Sequence, residues 1–242
     1  MSKKHYDDHL ADFYSWMVGD FLEKKEEFQK FLETNNIYPS NTKVAIDLGA
    51  GHGIQSVALL GSGFDVTAID FSDQLLKELS TNSEGQVATI AADIRSIKEY
   101  GRLNPELIIC CGDTITHLES KSEATQLIAD CERILVAGGK LILSFRDYSS
   151  ELADHQRFIP VKSDASRILT CILEYGKEKV KVTDLLYEKT GDQWNQKVSS
   201  YEKVRVNPVE VVEAIENCGM SILFNEPINR MQTIVAKKTT NS

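Results

Sequence analysis

A glycine-rich segment at residues 47–53, Asp-Leu-Gly-Ala-Gly-His-Gly, contains the residue types of a ligand-binding loop. Glycine at positions 49, 51 and 53 allows a tight turn and lets a ligand approach the backbone closely. The segment departs from the dinucleotide-binding pattern G-x-G-x-x-G, because Ile54 occupies the place of the last glycine. Asp47 would repel a pyrophosphate at this loop, whereas it suits a ligand that carries an ammonium group and no phosphate. The segment therefore predicts a cationic ligand without phosphate groups.

Two further aspartates stand at the ends of apolar runs that follow this loop. Asp70 ends the run at residues 65–70, and Asp93 comes soon after the run at residues 87–91. An acidic residue at the end of a second strand commonly accepts hydrogen bonds from the two hydroxyls of a ribose. A carboxylate after a third strand can accept a bond from an adenine amine, although strand-end carboxylates are also often helix caps or solvated turns. Taken with the glycine loop and in this order, they predict a nucleoside-containing ligand at the carboxyl ends of the strands.

Alternating strands and helices are predicted to position these residues. Short apolar runs that end at turn residues are typical of buried parallel strands, and stretches of helical spacing separate most of them. The predicted strands are residues 44–48, 65–70, 87–91, 107–111 and 141–143, with final strands at 221–224 and 233–236. Right-handed crossovers between such strands produce a doubly wound parallel sheet of the α/β class.

The two ends of the chain differ from this central pattern, and we predict one domain over residues 1–242. Residues 1–39 have helical spacing and predict a helical cap, followed by a ligand-binding core at 40–150. Residues 160–206 contain three strand-like stretches separated by turn residues, which predicts an antiparallel meander inserted after the fifth strand. Residues 207–238 then supply the last helix and strands.

Charge and composition restrict the partners. The chain has 27 basic and 36 acidic residues, a formal net charge of −9, which disfavours a nucleic acid because phosphate backbones require clustered Lys and Arg. No stretch approaches the roughly 18 apolar residues of a membrane span, and the polar first ten residues do not resemble a signal peptide. The five cysteines contain no CxxC pair, which favours reduced thiols in a cytoplasmic protein and predicts no metal site.

Several segments resemble the class I S-adenosylmethionine-dependent methyltransferases. VAIDLGAGHG is similar to the first motif of that family, VTAID to the second and AADI to the third, and the resemblance covers residues 40–146. The segment SYEKVRVNPVEVVEAIENCG is similar in pattern to the insertion of glycine N-methyltransferase and of aminosugar N-methyltransferases. The resemblance implies a Rossmann-like, seven-stranded methyltransferase sheet with an N-terminal helical cap and an antiparallel β-meander insertion. It also implies S-adenosylmethionine as the cofactor, with S-adenosylhomocysteine as its product.

The resemblance further implies individual roles. Asp70 would hold the ribose, Phe71 would flank the adenine, and Asp93 with its neighbour would bind the adenine edge. Tyr14 could close the cap over the cofactor, although aromatic residues at helical spacing are more often core residues. The residues assigned to the cofactor are Tyr14, Asp47, Gly49, Ala50, Gly51, Gly53, Asp70, Phe71, Asp93, Ile94, Cys111 and Gly112.

Candidate catalytic residues follow the fourth predicted strand, where the acceptor should meet the methyl group. Methyl transfer is an in-line displacement, so the protein mainly supplies approach geometry, which is worth roughly 7–11 kcal/mol in well-oriented reactions. His117 is the best general base because it titrates near neutral pH, with a packing role as the alternative. Asp113 would orient the substrate or the cofactor amine. Arg146 would contact the acceptor or pair with Asp147.

Two alternatives to a methyltransferase stay open at this point. One is an NAD(P)-dependent oxidoreductase on a related fold, which Asp47 and the missing glycine disfavour. The other is a non-catalytic S-adenosylmethionine-binding protein, because a fold does not guarantee an activity. The segment after the fourth strand lacks the Asn-Pro-Pro-Tyr and Asp-Pro-Pro-Tyr patterns of enzymes that methylate nucleic-acid bases. We therefore expect a small-molecule acceptor whose attacking atom is nitrogen, oxygen or carbon. The meander would cover the acceptor or pair two subunits as a homodimer.

Overall fold

The structure is a computed structural model that describes residues 13–239, so the first twelve residues of the predicted cap lie outside the described part. The helices are α1 (Tyr14–Val18), α2 (Phe21–Thr34), α3 (Ile54–Gly61), α4 (Asp73–Asn82), α5 (Lys121–Ile134) and α6 (Pro208–Asn217). Short 3₁₀ helices cover Ile94–Leu103, Thr114–His117 and Asp154–Arg157.

The strands form two separate sheets. The larger sheet contains β1 (Val44–Leu48), β2 (Asp65–Asp70), β3 (Ala88–Ala91), β4 (Leu107–Cys110), β5 (Lys140–Phe145), β10 (Met220–Ile228) and β11 (Met231–Lys238). The smaller sheet contains β6 (Phe158–Ser163), β7 (Arg167–Tyr175), β8 (Lys179–Thr190) and β9 (Gln193–Val204).

The larger sheet has the strand order β10-β11-β5-β4-β1-β2-β3. Strands β1 to β5 pair in parallel, whereas β11 pairs antiparallel with both β5 and β10. The order of the parallel strands reverses between β1 and β4, which is the topological switch point where ligands bind in open α/β sheets. The predicted seven-stranded, doubly wound α/β fold is confirmed, with an antiparallel pair at one edge.

Two hydrophobic clusters cover the two faces of this sheet. One contains side chains of α5 and α6, and the other contains side chains of α2, α3 and α4. Neighbouring strand residues alternate between them: in β4, Ile108 lies in the first cluster and Ile109 in the second. This alternation follows from the two-residue period of a strand.

Local sequence signals fix the starts of the helices around the site. The Ser72 hydroxyl accepts from the backbone N–H of Leu75 and caps α4. Asn207 caps α6 in the same way, and Pro208 occupies its first position, where no N–H is needed.

The meander differs from its prediction in one respect. Three strands were expected from residue 160, but a fourth, β6, begins at Phe158 and pairs antiparallel with β7. Pro160 interrupts the hydrophobic pattern of this strand, and the register shifts between Pro160 and Lys162. Proline is tolerated there because β6 is an edge strand. For this reason, the hydrophobic pattern of the segment did not predict β6.

Within residues 13–239, none of the helices is both long and apolar enough to cross a membrane.

Candidate cofactor and acceptor site

The three glycines of the loop after β1 all have left-handed backbone conformations, with φ values of 70°, 54° and 96°. A Cβ on Gly49 would lie 2.3 Å from a Thr114 carbon, and one on Gly53 would lie 2.6 Å from Leu79. These two glycines therefore let the loop after β4 and helix α4 pack against the loop. A Cβ on Gly51 would lie 3.2 Å from the Tyr14 hydroxyl, on the side of the loop that faces the cap.

Two buried carboxylates flank this loop. Asp70 accepts hydrogen bonds from the backbone N–H of Gly51 at 2.9 Å and of Ser72 at 2.8 Å. Asp47 accepts a 2.6 Å bond from the Ser56 hydroxyl. Burial raises the pKa of Asp47 to about 7; the Ser56 bond opposes this shift, and the charge of Asp70 reinforces it. The ends of β1 and β2 thus carry a negative field suited to a cationic group.

The cap lies directly over the glycine loop. Burial raises the pKa of Tyr14 far above its usual range, and the charges of Asp70 and Asp47 raise it further, which places this phenol beside both carboxylates. The Tyr14 ring also makes an edge contact with the His52 ring, at 5.2 Å between centroids. Ser15 donates a 2.6 Å hydrogen bond to Glu78 of α4. Tyr14 is therefore brought together with the cofactor-side residues.

The cap also contacts the meander. The Trp16 indole N–H donates a 2.6 Å bond to Asp164, and the Lys162 ammonium donates to the Trp16 carbonyl. A single short helix therefore joins the glycine loop to the smaller sheet.

The residues predicted to contact adenine already have partners or neighbours within the chain. The half-exposed Asp93 carboxylate pairs with the Arg95 guanidinium at 2.6 Å and accepts from the Arg95 backbone N–H. Hydrogen bonds from Arg95 lower the pKa of Asp93, so the carboxylate is ionised and already engaged. Ile94 is buried in a core cluster, and Phe71 is partly buried next to Asp70. Their contact with adenine stays a prediction.

The segment after β4 begins with a buried thiol and an open glycine. Burial raises the pKa of Cys111 to about 12, so this thiol is neutral. Gly112 has a φ of 72°, and no described atom lies within 4 Å of the position its Cβ would occupy. Its N–H donates to the Ser144 hydroxyl at 3.0 Å. The resemblance implies that Cys111 and Gly112 face the sulfonium of the cofactor, and this stays a prediction.

Asp113 joins three segments of the chain. One carboxylate oxygen accepts from the Arg146 backbone N–H at 2.9 Å, and the other accepts from the Tyr148 hydroxyl at 3.2 Å and from the Lys203 ammonium of β9. Burial alone would raise the pKa of Asp113, but the Lys203 charge and these hydrogen bonds hold it below its ordinary value. The carboxylate is therefore ionised. The suggested pairing of Arg146 with Asp147 is wrong: the Arg146 Nε lies 3.8 Å from Asp113, and Asp147 accepts from the Ser149 N–H.

His117 lies beside this group, at the end of the 3₁₀ helix after β4. Its ring stacks on Tyr201 of β9, with 5.5 Å between centroids and 12° between planes. Its charge contributes to the lowered pKa of Asp113. The structure thus brings the two predicted catalytic residues together, with a meander tyrosine in contact with the histidine.

Sequence analysis did not identify Lys203, Tyr148 or Tyr201 as site residues. A signal was present, because the two-residue period of β9 puts Lys203 on the same face as Tyr201, which is buried. A lysine on a buried face needs a carboxylate partner. The pattern did not indicate which carboxylate that would be.

Among the described residues 13–239, no group of three or more His, Cys, Asp or Glu side chains could hold a metal ion.

Comparison with known proteins agrees with this geometry. Residues 45–139 match the family model of a methyltransferase domain. The glycine/sarcosine N-methyltransferase of Aphanothece halophytica is 25% identical over 149 residues, which are 60% of this chain and 56% of that protein. Human glycine N-methyltransferase is 23% identical over 76% of this chain and 69% of its own length. The chain spans little more than half the length of the first of these relatives.

A solved structure extends the likeness to the whole fold. CalS10, an amino pentose methyltransferase from Micromonospora echinaspora with bound S-adenosylmethionine, superimposes with a TM-score of 0.73. That alignment covers 91% of this chain and 92% of CalS10 at 14% identity, so it carries information on the fold alone. Residues 45–139 therefore match a methyltransferase domain, and the chain is similar to S-adenosylmethionine-dependent methyltransferases in sequence and fold. The resemblance to glycine and aminosugar N-methyltransferases that its motifs predict is thereby confirmed.

Proposed function

We propose that this chain transfers the methyl group of S-adenosylmethionine to an amine nitrogen of a small-molecule acceptor. The observation that carries the proposal is the pair of buried carboxylates, Asp47 and Asp70, around a left-handed glycine loop at the switch point of the sheet. A negative field next to a loop that only glycine fits suits a ligand with an ammonium group and a close backbone approach. The relatives named above methylate nitrogen according to their names, which supports an amine as the acceptor.

The residues at the end of β1 to β4 fit this cofactor. Asp70 already orders the Gly51 N–H, so it fixes the loop as well as offering an acceptor for ribose hydroxyls. The full proposed cofactor set is Tyr14, Asp47, Gly49, Ala50, Gly51, Gly53, Asp70, Phe71, Asp93, Ile94, Cys111 and Gly112.

The chemistry on the acceptor side is simple. When bound, S-adenosylmethionine supplies a methyl carbon activated by its sulfonium, so that attack by a nitrogen lone pair releases a neutral thioether and leaves a protonated amine product. The protein has to align the acceptor nitrogen with that carbon, exclude water and accept a proton. His117 is the proposed proton acceptor, because an imidazole is a common general base and this one interacts with the ionised Asp113.

The acceptor is proposed to bind between the cap, the loops after β4 and β5, and the meander. The contacts of Trp16 with Asp164 and of Asp113 with Lys203, which join the cap and the loop after β4 to the meander, support this proposal. Deleting residues 176–192 would then remove transfer and spare binding of S-adenosylhomocysteine.

The direct test is a methyl-transfer assay with labelled S-adenosylmethionine and a panel of glycine, sarcosine and an aminosugar. We expect label on the nitrogen of at least one amine, together with S-adenosylhomocysteine binding in the micromolar range by calorimetry. Absence of both binding and transfer would contradict the proposal. Binding without transfer to any amine would instead indicate another acceptor atom or a non-catalytic binding protein, and an absorbance change with a nicotinamide would indicate an oxidoreductase.

A charge-matched pair of variants connects the binding to the site. Asp70→Asn should weaken S-adenosylhomocysteine binding by about 1–3 kcal/mol, the cost of a lost charged hydrogen bond. Asp73→Asn removes the same charge from an exposed position three residues away and should leave the affinity unchanged. Equal affinities of the two variants for S-adenosylhomocysteine would mean that Asp70 does not bind the cofactor.

Three further expectations stay proposals. A small-molecule acceptor rather than a nucleic acid follows from the net charge of −9, and no sub-micromolar gel shift with duplex DNA is expected at physiological salt. A cytoplasmic location follows from the five cysteines, all of which are free thiols. A homodimer through the meander would use its edge strands or its outer face, where Trp194 and Val198 are exposed.

A further inference from the structure

We propose that Lys203 is a positioning residue for methyl transfer: through its ion pair with Asp113 it fixes the loops after β4 and β5 against the meander. This inference rests on the proposed function and concerns the acceptor side of the same site. It assigns a role to a residue of the inserted sheet, outside the segment of the chain that matches the methyltransferase domain.

Burial makes the ion pair costly to break. The side chains of Lys203 and Asp113 are 8% and 3% exposed, and the two charges are in direct contact. A buried charge that loses its partner is strongly destabilised, so each of these side chains constrains the position of the other. The contact joins residues 90 positions apart.

The rings around the ammonium strengthen its placement. The Lys203 nitrogen lies 5.7 Å from the centroid of Tyr201 and 5.9 Å from that of Tyr148. A desolvated cation over aromatic faces is attracted by their quadrupoles. The same two residues also contact the proposed catalytic residues: Tyr201 stacks on His117, and the Tyr148 hydroxyl donates to Asp113.

Asp113 transmits this placement to both loops. Its backbone is left-handed, with a φ of 76°, which is uncommon for a residue that is not glycine and requires support from its surroundings. Its side chain holds the Arg146 N–H and the Tyr148 hydroxyl at the end of β5. With its oxygens occupied in this way, Asp113 acts on the reaction through the loops rather than as a base.

Arg205, two residues after Lys203, anchors the same end of β9. Its guanidinium donates to the carbonyls of Tyr148, Ser149 and Gly176. Arg205 therefore holds the backbone of the meander in place even when the Lys203 charge is removed, which makes substitution of Lys203 a usable test.

The experiment compares four proteins: wild type, Lys203→Met, Lys203→Arg and the double variant Lys203→Met/Asp113→Asn. Methionine keeps the length and apolar contacts of the lysine stem, and asparagine keeps oxygen and size but no charge. In Lys203→Met, we expect kcat/KM for the acceptor to fall about 100-fold, the typical effect of a small displacement of reacting groups. The dissociation constant of S-adenosylhomocysteine should stay within about twofold, and Lys203→Arg should retain most of the activity.

The double variant distinguishes positioning from direct contact. If Lys203 acts by neutralising Asp113, removing the carboxylate charge should restore at least tenfold of the lost kcat/KM. Lys203→Met should also move the acid limb of the pH profile upward, because the cation that keeps the pKa of Asp113 low is gone. The double variant, which has no carboxylate at this position, should return to the wild-type profile. A merely structural role would not shift the profile.

Three results would overturn the proposal: unchanged kcat/KM in Lys203→Met, no rescue in the double variant, or loss of activity in Lys203→Arg equal to that in Lys203→Met. If Lys203→Met does not fold, the double variant, which has no buried charge at this position, still tests it: activity within tenfold of wild type supports the inference, and a folded but inactive protein contradicts it. Turnover of the wild type in the same assay tests the proposed function separately.

Discussion

The cofactor side and the acceptor side of this site hold their carboxylates in opposite ways. At the ends of β1 and β2, the charged neighbour that acts on Asp47 is another carboxylate, Asp70, and the pKa of Asp47 is raised to about 7. At the end of β4, Asp113 pairs with the Lys203 ammonium, and its pKa is lowered. Burial is common to Asp47 and Asp113, so the neighbouring charge decides the direction of each shift.

This difference indicates what each side requires. Two neighbouring carboxylates in a buried place are stabilised by a cationic ligand, so the cofactor side is completed by binding. The ion pair on the acceptor side is complete within the chain, so it supports a fixed geometry rather than a charge for a ligand. The cofactor side should therefore respond strongly to ligand and pH, and the acceptor side to the integrity of its internal pair.

Among these variants, we expect Gly51→Ala on the proposed cofactor side to have the largest effect on ligand affinity. The added methyl group would lie 3.2 Å from the Tyr14 hydroxyl, on the face of the loop where we propose that the ligand approaches, and the backbone is left-handed. We expect S-adenosylhomocysteine affinity to fall by at least about 100-fold in calorimetry, a loss of roughly 3 kcal/mol.

Gly85→Ala is the matched control. Gly85 also has a positive φ, 74°, but no described atom lies within 4 Å of its added Cβ. Both variants should lose a similar amount of unfolding free energy, about 1–2 kcal/mol for the strained backbone, while only Gly51→Ala loses the ligand. A parallel loss of affinity in both proteins would mean that the effect comes from general destabilisation.

A change of pH should have an intermediate effect on ligand affinity, and Asp47 is the group expected to cause it. The ammonium of the ligand favours ionised Asp47, so S-adenosylhomocysteine affinity should rise with pH up to about 7, by up to about tenfold per pH unit below that value. The free protein should behave oppositely. Because its folded pKa is raised, Asp47 contributes stability at low pH that is lost as the pH rises from the ordinary value toward 7.

Asp47→Asn tests both signs in one variant. The amide oxygen can still accept from the Ser56 hydroxyl, but the group no longer titrates. Calorimetry between pH 5.5 and pH 7 (about the range where the ligand amine stays protonated) should show a flattened affinity profile. Urea unfolding should show a smaller decline of stability across the same range. A wild-type affinity that is independent of pH would refute the assignment.

We expect the smallest effect on ligand binding from a change in the cap, which contacts both the glycine loop and the meander. Ser15→Ala removes the hydrogen bond to Glu78 that fixes α1 on α4. We expect the dissociation rate of S-adenosylhomocysteine to rise about three- to tenfold, which is about 0.7–1.4 kcal/mol and within the range of one ordinary hydrogen bond. Stopped-flow measurement gives this rate. Ser221→Ala, on an exposed strand far along the chain, serves as the control and should leave it unchanged.

The order of the elements and the residues proposed for the cofactor side could be predicted from the sequence alone. Strand β1, the glycine loop and α3 follow one another within 18 residues, 44–61, and their signals are local: apolar runs, left-handed glycines and helix spacing. Asp47 and Asp70 could be named because a parallel sheet places successive strand ends at one edge. The predicted seven-stranded fold followed from the same alternation.

The contacts of the proposed acceptor side could be recognised only in the folded structure. Strand β6 contains a proline at the sheet edge, so its pattern did not predict a strand. Asp113 appeared in sequence as a group for substrate or cofactor, whereas the folded chain binds it to Lys203, 90 residues away. The two-residue period of β9 indicates that Lys203 is buried, but nothing in the spacing of either residue specifies its partner. The cofactor side is encoded by neighbours in the chain, and the acceptor side by contacts that exist only after the meander has folded onto the sheet.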